Sequence, residues 1–422
     1  MENYLDFIDD LKKLIEIDSS EKSGEMGAPF GPNVKKALDE FLLIAKRLGF
    51  ETINYDGYGA EIDYGKGAEI GIIGHVDTVP CGDGWDSNPL ALTEKDGYLI
   101  GRGVADDKGP SLATLYALNE LKKSRQTCNK RFRFFIGCNE ETGWRDIEYI
   151  KTKTALPKFG FSPDGSFPVS YAEKGVYVLY FSLPELKNFF ELNGGTAINA
   201  VCGRAEVKTN STEILEKAKA FGLKTDGNTI ISIGKSAHGS APQKGVNAFK
   251  KLFEFMSLCG ESLDEFVDFL FSDSQGIMKK ENEQGNITFS PNIIEENGGQ
   301  VFLVCDCRVP APFTFDKDAK PLFDKMGLKY KAVERHPPFM VDRDSELVKK
   351  LTKAYSETVG KKTDAVSSAG STFARVFECG CAFGFEFADT DYHMHEPNER
   401  IAVDKLNLGY EIIKKAIFEL AE

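Results

Sequence analysis

The sequence is short of basic charge, of histidine and of long hydrophobic runs. Its 52 lysines and arginines face 65 aspartates and glutamates, which gives a net charge of −13 at pH 7. A nucleic-acid groove needs a basic surface, so this balance argues against one. No stretch approaches the ~18 consecutive apolar residues of a membrane-spanning helix, and the first residues do not have the pattern of a signal peptide. We therefore expect a cytoplasmic protein that binds neither nucleic acid nor membrane.

Cysteine is present, but not in the pattern of a disulfide framework. Nine is an odd number, and the cysteines are scattered along a long chain, which favours free thiols in a reducing compartment. Cys305/Cys307 and Cys379/Cys381 are close pairs, but each lacks a second pair at zinc-finger spacing. We expect these four to be small buried side chains.

The first part of the chain alternates between two apolar patterns. Leu5, Ile8, Leu11, Leu14 and Ile15 follow helical spacing, as do apolar residues in "NVKKALDEFLLIAKRLGF" and "KGPSLATLYALNELKK". The short apolar runs in "EIGIIGHVD", "RFRFFIGCNEE" and "KFGFSPDG" are typical of buried strands. This alternation predicts an α/β fold with a largely parallel central sheet flanked by helices.

The pattern changes after "SYAEKG", where alternating segments such as "VYVLYFSL" and "QVFLVCDCRV" mix with helical ones. We interpret this region as an inserted α+β domain, after which the α/β pattern returns. At 422 residues the chain is long enough for two domains. We place the catalytic domain at residues 1–171 and 338–422 and the inserted lid domain at residues 172–337.

Acidic side chains follow several of the predicted strands, and one pair precedes a predicted helix. They are His75 with Asp77, the Asp106–Asp107 pair, the Glu140–Glu141 pair, and Asp164. Taken singly, each has an ordinary explanation, such as a helix N-cap or a turn. In an open α/β sheet, however, the carboxyl ends of the strands line one crevice, so these groups can converge. Crowded carboxylates repel one another unless a cation lies between them, so the set together favours a divalent metal site.

Six motifs, taken in order, resemble those of a known superfamily. They are "GHVDTVP", "GRGVADDKGP", "NEETG", "SPDGSFP", "SAHGSAPQKGVNA" and "MHEPNE". This series is similar to that of the co-catalytic dinuclear zinc metallopeptidases, which include aminoacylases, carboxypeptidase G and succinyl-diaminopimelate desuccinylase. The resemblance runs from about Leu14 to Ile412, and "DDKGP", "EKG", "DCR" and "TFAR" are most similar to dipeptidases of the PepV type.

The resemblance implies a role for each residue of the metal centre. Asp106 would bridge two divalent ions, and the peptide bond between Asp106 and Asp107 would be cis. His75 and Asp164 would complete one ion, and Glu141 and His395 the other. Asp77 would orient His75, and Glu140 would be the general base. Zinc suits such mixed ligands, and manganese or cobalt would also fit.

The resemblance also implies residues that contact the substrate. His238 would stabilise the oxyanion, while Asn199 and Arg308 would bind the peptide. Gly370, Ser371 and Thr372 are weaker candidates, because "AGSTFAR" departs from the family's glycine-rich form at Ala369 and Ser371.

The implied activity is hydrolysis of small unblocked peptides by a metal-activated water, as in a dipeptidase. Two alternatives remain open: a carboxypeptidase or N-acyl-amino-acid deacylase with the same chemistry, and a non-catalytic metal- or peptide-binding protein on this scaffold. The retained Glu140 and His238 argue against the last, because a binder needs neither a base nor an oxyanion donor. The long insertion resembles that of the PepV type, so we expect a monomer.

Overall fold

The computed structural model describes residues 1, 4–124 and 126–422. Its helices are α1 Tyr4–Ile15, α2 Pro32–Arg47, α3 Lys108–Lys123, α4 Arg145–Lys153, α5 Thr212–Ala220, α6 Ala248–Leu258, α7 Asp264–Phe266, α8 Lys320–Asp324, α9 Glu346–Val359 and α10 Val403–Leu420. Its strands are β1 Glu51–Asn54, β2 Gly59–Gly65, β3 Ala68–His75, β4 Thr93–Lys95, β5 Tyr98–Ile100, β6 Lys130–Gly137, β7 Phe159–Ser162, β8 Ser170–Glu173, β9 Gly175–Ser182, β10 Phe190–Gly194, β11 Arg204–Lys208, β12 Lys224–Asp226, β13 Thr229–Ile233, β14 Glu281–Asn282, β15 Gly285–Asn286, β16 Thr288–Asn297, β17 Gln300–Val309, β18 Tyr330–His336, β19 Phe339–Met340, β20 Val366–Ser368, β21 Cys379–Ala382 and β22 Arg400–Ala402.

The chain divides into two compact units. The first comprises Met1–Tyr171, Val341–Ser368 and Thr372–Glu422, and the second comprises Ala172–Met340 with Ala369–Ser371. The first unit contains the central strands, and the second is a long insertion between two parts of the first.

The central sheet of the first unit confirms the predicted α/β class. Its strand order begins β1-β2-β6-β3-β7-β21-β8. The four central strands β6, β3, β7 and β21 are parallel, whereas β1, β2 and β8 are antiparallel to their neighbours. The sheet is therefore mixed rather than uniformly parallel. Short connections of a few residues, as between β1 and β2, can join only antiparallel strands.

Amphipathic helices cover this sheet, as the apolar periodicity predicted. Helix α1 packs against α2 and α3, and α10 packs against α3 and α9. The buried face of α1 carries Phe7, Ile8, Leu11 and its neighbours Leu14 and Ile15. Leu5 was predicted on this face, but it is 78% exposed. It lies in the first turn of the helix, on the side away from the buried stripe.

The second unit has its own hydrophobic core. It contains two four-stranded antiparallel sheets, with orders β10-β11-β13-β12 and β16-β17-β9-β18. Helix α6 packs on β11 and β13 through buried residues that include Phe249, Leu252 and Phe253. Strand β17 is buried along its C-terminal part, which positions Asp306 and Arg308.

Within residues 1, 4–124 and 126–422, we find no helix that is both apolar and long enough to cross a lipid bilayer. The nine cysteines are free thiols. Cys305, Cys307 and Cys381 are buried as expected, but the expectation was wrong for Cys379, which is partly exposed at the start of β21.

Candidate metal centre

Three parallel strands of the first unit deliver side chains to one edge of the sheet. Strand β3 ends at His75, β6 ends at Gly137 just before Glu140 and Glu141, and β7 ends just before Asp164. Strand β3 pairs in parallel with both β6 and β7, so all three carboxyl ends face the same way. The parallel pairing explains why residues far apart in the sequence converge here.

Asp106 lies between the two histidines of the cluster. One carboxylate oxygen, Oδ1, is 3.1 Å from His75 Nε2, and the other, Oδ2, is 2.9 Å from His395 Nε2. The Asp106–Asp107 peptide is cis, as the resemblance implied. A carboxylate that presents one oxygen to each of two imidazoles has the disposition needed to bridge two cations.

The predicted ligands and Glu140 fall into two groups of three side chains. One group comprises His75, Glu140 and Asp164, and the other comprises Asp106, Glu141 and His395; within each, the possible ligand atoms lie within 4.8 Å of one another. Asp164 Oδ2 is 3.8 Å from His75 Nε2, and Glu141 Oε2 is 3.1 Å from His395 Nε2. The structure thus brings together all five predicted ligands and the predicted base, Glu140.

The pKa shifts of these side chains reflect the crowding of buried charged groups. Burial raises the pKa of Glu140 and of Asp164 well above their usual range, and neighbouring carboxylates add to the effect. Burial also acts to raise the pKa of Asp106, but His395 and His75 outweigh it and lower that pKa. Glu141 is the main cause that raises the pKa of His395 to about 12.

Four carboxylates therefore share one cluster with two imidazoles. A bound cation relieves the repulsion among buried carboxylates, and the mixture of imidazole nitrogen and carboxylate oxygen fits zinc, manganese or cobalt. The donor set and its geometry fit two divalent ions.

Asp77 contacts His75 in two ways. The Nδ1 atom of His75 is 3.0 Å from the backbone oxygen of Asp77 and 3.4 Å from its carboxylate Oδ1. The other carboxylate oxygen accepts a hydrogen bond of 3.1 Å from the backbone N–H of Glu141. Asp77 therefore sits between the ring of one candidate ligand and the backbone of another, with its main-chain oxygen nearest the ring.

Two buried aspartates hold the backbone on either side of the ligands, a role that the sequence did not indicate for either. Asp107 accepts hydrogen bonds from the N–H of His75 (3.1 Å) and the hydroxyl of Ser111 (2.6 Å). Asp146 accepts from the N–H groups of Cys138 (2.7 Å) and Asn139 (3.0 Å), directly before Glu140. Asp146 lies in the first turn of α4, where an acid is expected for helix-dipole reasons alone. The sequence therefore could not show that Asp146 also holds the backbone directly before Glu140.

Three predicted substrate-binding residues lie in the second unit. His238 is exposed, and its Nδ1 accepts a hydrogen bond of 3.2 Å from the backbone N–H of Ser240. The backbone oxygen of Asn199 accepts from Gly239 N at 2.6 Å, next to an isolated bridge between Ala200 and His238. These contacts place Asn199 and His238 on adjacent segments.

Arg308 is the third of these residues, and it is already paired. Its Nε and Nη2 atoms donate to the two carboxylate oxygens of Asp306 at 2.8 and 2.9 Å. Both side chains are buried. The pair fixes the orientation of the guanidinium group and leaves Nη1 outside the bidentate contact.

The weaker candidates are divided between the units. Gly370 and Ser371 group with the second unit, whereas Thr372 belongs to the first. The hydroxyl of Thr372 accepts from the N–H of Ala374 at 3.2 Å and so caps a short 3₁₀ turn. This contact gives Thr372 a structural role as an N-cap.

The sequence pattern of peptidase family M20/M25/M40 matches residues 71–419. Among curated relatives, the chain is 32% identical over 451 residues to the Beta-Ala-Xaa dipeptidase of Lactobacillus delbrueckii subsp. lactis, with 98% of this chain and 95% of that protein covered.

The fold is also similar to solved structures of much lower identity. Human carnosine dipeptidase 1 superposes with a TM-score of 0.61 at 17% identity, over 99% of this chain and 97% of that one. A dinuclear metal-binding peptidase of the M20 family from Bacillus subtilis gives a TM-score of 0.55 at 11% identity, with 99% of both chains covered.

Proposed function

The chain belongs to peptidase family M20/M25/M40, and from this membership and the geometry of its site we propose a metal-dependent dipeptidase that cleaves small unblocked peptides. The observation that carries the proposal is the position of Asp106, whose two carboxylate oxygens face His75 and His395 at 3.1 and 2.9 Å. A carboxylate shared by two cations would use one oxygen for each, and Asp106 offers its oxygens to two histidines in this way.

The chain would hold two divalent ions through the two ligand groups. His75 and Asp164 would hold one ion, Glu141 and His395 would hold the other, and Asp106 would contribute to both. We propose zinc as the physiological metal, because two imidazoles and several carboxylates form a donor set that zinc readily accepts.

Glu140 is proposed to transfer the proton during hydrolysis. When bound, the two cations supply Lewis acidity towards the scissile carbonyl and bring the pKa of a water molecule towards neutrality. Glu140 takes the proton of that water as general base and then passes it to the leaving amine. Its position beside the ligands His75 and Asp164 supports this role.

His238 is proposed as the oxyanion donor. The backbone N–H of Ser240 donates to Nδ1 at 3.2 Å, and the Ser240 hydroxyl, 2.7 Å from the same atom, can donate to it as well. We therefore propose that a neutral ring carries its proton on Nε2. In that tautomer the imidazole can donate a hydrogen bond from Nε2 to an oxyanion. The role itself rests on the resemblance of "SAHGSAP" to the family motif.

Arg308 and Asn199 are proposed to bind the substrate. Asp306 holds the guanidinium of Arg308 in place, so a carboxylate of the peptide would meet its Nη1 atom without an ordering cost. Gly370, Ser371 and Thr372 are proposed as weaker contacts to the substrate, from the resemblance of "AGSTFAR" to the family motif.

A substrate panel separates this proposal from its alternatives. Zinc-loaded protein is assayed against free dipeptides, tripeptides and N-acetylated amino acids, with chelator-treated protein as the control. A dipeptidase cleaves the free dipeptides fastest, whereas a deacylase prefers the acetylated compounds. Absence of turnover on every compound, despite bound metal, would instead favour a binding protein.

We further propose that the protein is a monomer of the cytoplasm. Nine free thiols suit a reducing compartment, and the insertion is large enough to carry two sheets in one chain. Sedimentation velocity over a range of concentrations tests the oligomeric state, and an obligate dimer would contradict it.

A further inference from the structure

A buried ion pair lies close to the metal-binding loops. Arg102 Nη1 is 2.7 Å from Glu399 Oε2, and their side chains are 3% and 1% exposed. The partners are nearly 300 positions apart in sequence and belong to the first unit. Neither residue is among the candidate ligands, so the pair needs its own explanation.

Glu399 accepts hydrogen bonds from the backbone that leads into Asp106. Its carboxylate receives the N–H of Gly103 at 3.0 Å, of Ala105 at 2.9 Å and of Asp106 itself at 3.2 Å. Hydrogen bonds to a charged acceptor are about twice as strong as neutral ones. The carboxylate therefore fixes the main chain at the residue that would bridge the two ions.

Arg102 extends this contact to two more loops. Its Nη2 atom lies 3.3 Å from the backbone oxygens of Pro80, Cys81 and Glu396. The first two follow Asp77, and the third follows His395. One ion pair thus ties together the segments that carry Asp77, Asp106 and His395.

We propose that Glu399, paired with Arg102, is a positioning residue that sets the metal affinity of the site by holding the backbone of Asp106. The inference rests on the proposed function, because it presumes that Asp106 is a metal ligand. Outer partners of metal ligands typically contribute 10–100-fold in metal affinity or activity.

The chain offers a matched control in a second buried pair of the first unit. Glu61 and Arg133 are 1% and 5% exposed. Arg133 donates to the two Glu61 oxygens at 2.6 and 2.8 Å. This pair joins β2 to β6 and has no contact with the loops of Asp77, Asp106 or His395 among its hydrogen bonds. Its loss should destabilise the fold without touching the metal site.

The experiment compares Glu399→Gln with Glu61→Gln. A glutamine keeps the shape of the side chain but has a single acceptor oxygen, so it cannot serve Arg102 and the three N–H groups together. Zn²⁺ is titrated into chelator-stripped protein by calorimetry with a competing chelator, and thermal melts are recorded for each variant. We expect the Kd for zinc to rise by about 10–100-fold in Glu399→Gln and to stay at the wild-type value in Glu61→Gln, although both variants melt earlier.

Three results would overturn a part of this account. If Glu399→Gln binds zinc as tightly as the wild type, the positioning role is wrong. If Glu61→Gln weakens zinc binding equally, the effect is one of general stability, and the inference fails as well. If the wild type itself takes up no zinc, the proposed function is at fault. Should Glu399→Gln not fold, Glu399→Asp provides the same reading, because its shorter side chain keeps the charge but cannot reach both Arg102 and the N–H groups.

Discussion

Gly74 lies where the site leaves no room for a methyl group. It immediately precedes His75 in β3, and a Cβ there would lie 1.9 Å from Ser111 Oγ and 2.5 Å from Asp107 Oδ2. Both of these side chains are completely buried. Gly74 is not among the glycines with positive φ, so alanine suits its backbone, and the effect of Gly74→Ala is steric alone.

The expected loss of stability follows from the contacts that the new methyl group would disturb. Ser111 and Asp107 share a hydrogen bond of 2.6 Å, and Asp107 holds the N–H of His75 at 3.1 Å. Overpacking costs about 1–3 kcal/mol, and a weakened hydrogen bond to a charged group adds about 1.5–3 kcal/mol. Gly74→Ala should therefore lower the free energy of unfolding by roughly 2.5–6 kcal/mol. It should also weaken zinc binding, because His75 loses its anchor.

A double mutant separates this explanation from a general loss of stability. Ser111→Ala removes the oxygen nearest the new methyl group, so Gly74→Ala with Ser111→Ala should be less destabilised than the sum of the two single variants. Mutations of residues in direct contact show an interaction free energy of about 0.5–3 kcal/mol in a double-mutant cycle. Urea unfolding of the wild type, both single variants and the double variant measures it. Additivity of the two changes, or a Gly74→Ala protein as stable as the wild type, would refute the steric explanation.

Three further substitutions test separate parts of the site. Glu140→Gln should retain zinc and fold but lose about 10²–10⁴-fold in kcat; unchanged turnover would remove Glu140 from the role of base. Asp146→Asn should lower both the melting temperature and zinc affinity, because asparagine has one acceptor oxygen for the N–H groups of Cys138, Asn139 and Ile147, which Asp146 serves with two. Asp273→Asn is its control, since Asp273 accepts two backbone N–H groups of the second unit at 2.7 and 3.1 Å, and it should lower the melting temperature alone. His238→Ala should leave the melting temperature unchanged and reduce kcat by about 10²–10³-fold; a large loss of stability with normal kcat would identify a structural histidine instead.

Much of the fold of the first unit could be predicted from apolar spacing. The pattern "KGPSLATLYALNELKK" corresponds to α3, Lys108–Lys123, and "EIGIIGHVD" contains the buried part of β3. Strand direction was less predictable. The flanking strands β1 and β2 pair antiparallel, and that depends on short turns and neighbours rather than on the strands' own periodicity.

The candidate ligands could be predicted because their chemistry is visible in residue type and position. An acid at a single strand end is ordinary, but several of them together indicate a site, because parallel pairing brings such ends together. The role of each ligand came from the resemblance of the motifs. The groups that hold them were not predictable in this way. Asp146, Asp107 and Glu399 act through backbone N–H groups, which every residue possesses. Only the folded chain shows which N–H groups a carboxylate meets.

The arrangement of Arg308 could likewise not be predicted from its motif. The sequence "DCR" indicated a guanidinium for substrate binding, but the alternation of β17 also places Asp306 on the same face two residues earlier. The resulting bidentate pair occupies two of the guanidinium nitrogens.

The central claim, that two divalent ions bridged by Asp106 carry the activity, is tested most directly by metal content measured alongside turnover. Protein stripped with chelator is reloaded in steps with Zn²⁺, and bound zinc and dipeptide hydrolysis are determined on the same samples, for the wild type and for Asp106→Ala. We expect about two zinc ions per chain at full activity, and Asp106→Ala should bind less zinc and hydrolyse no dipeptide. Full hydrolysis by stripped protein, or an Asp106→Ala variant that binds two ions and remains active, would contradict the account.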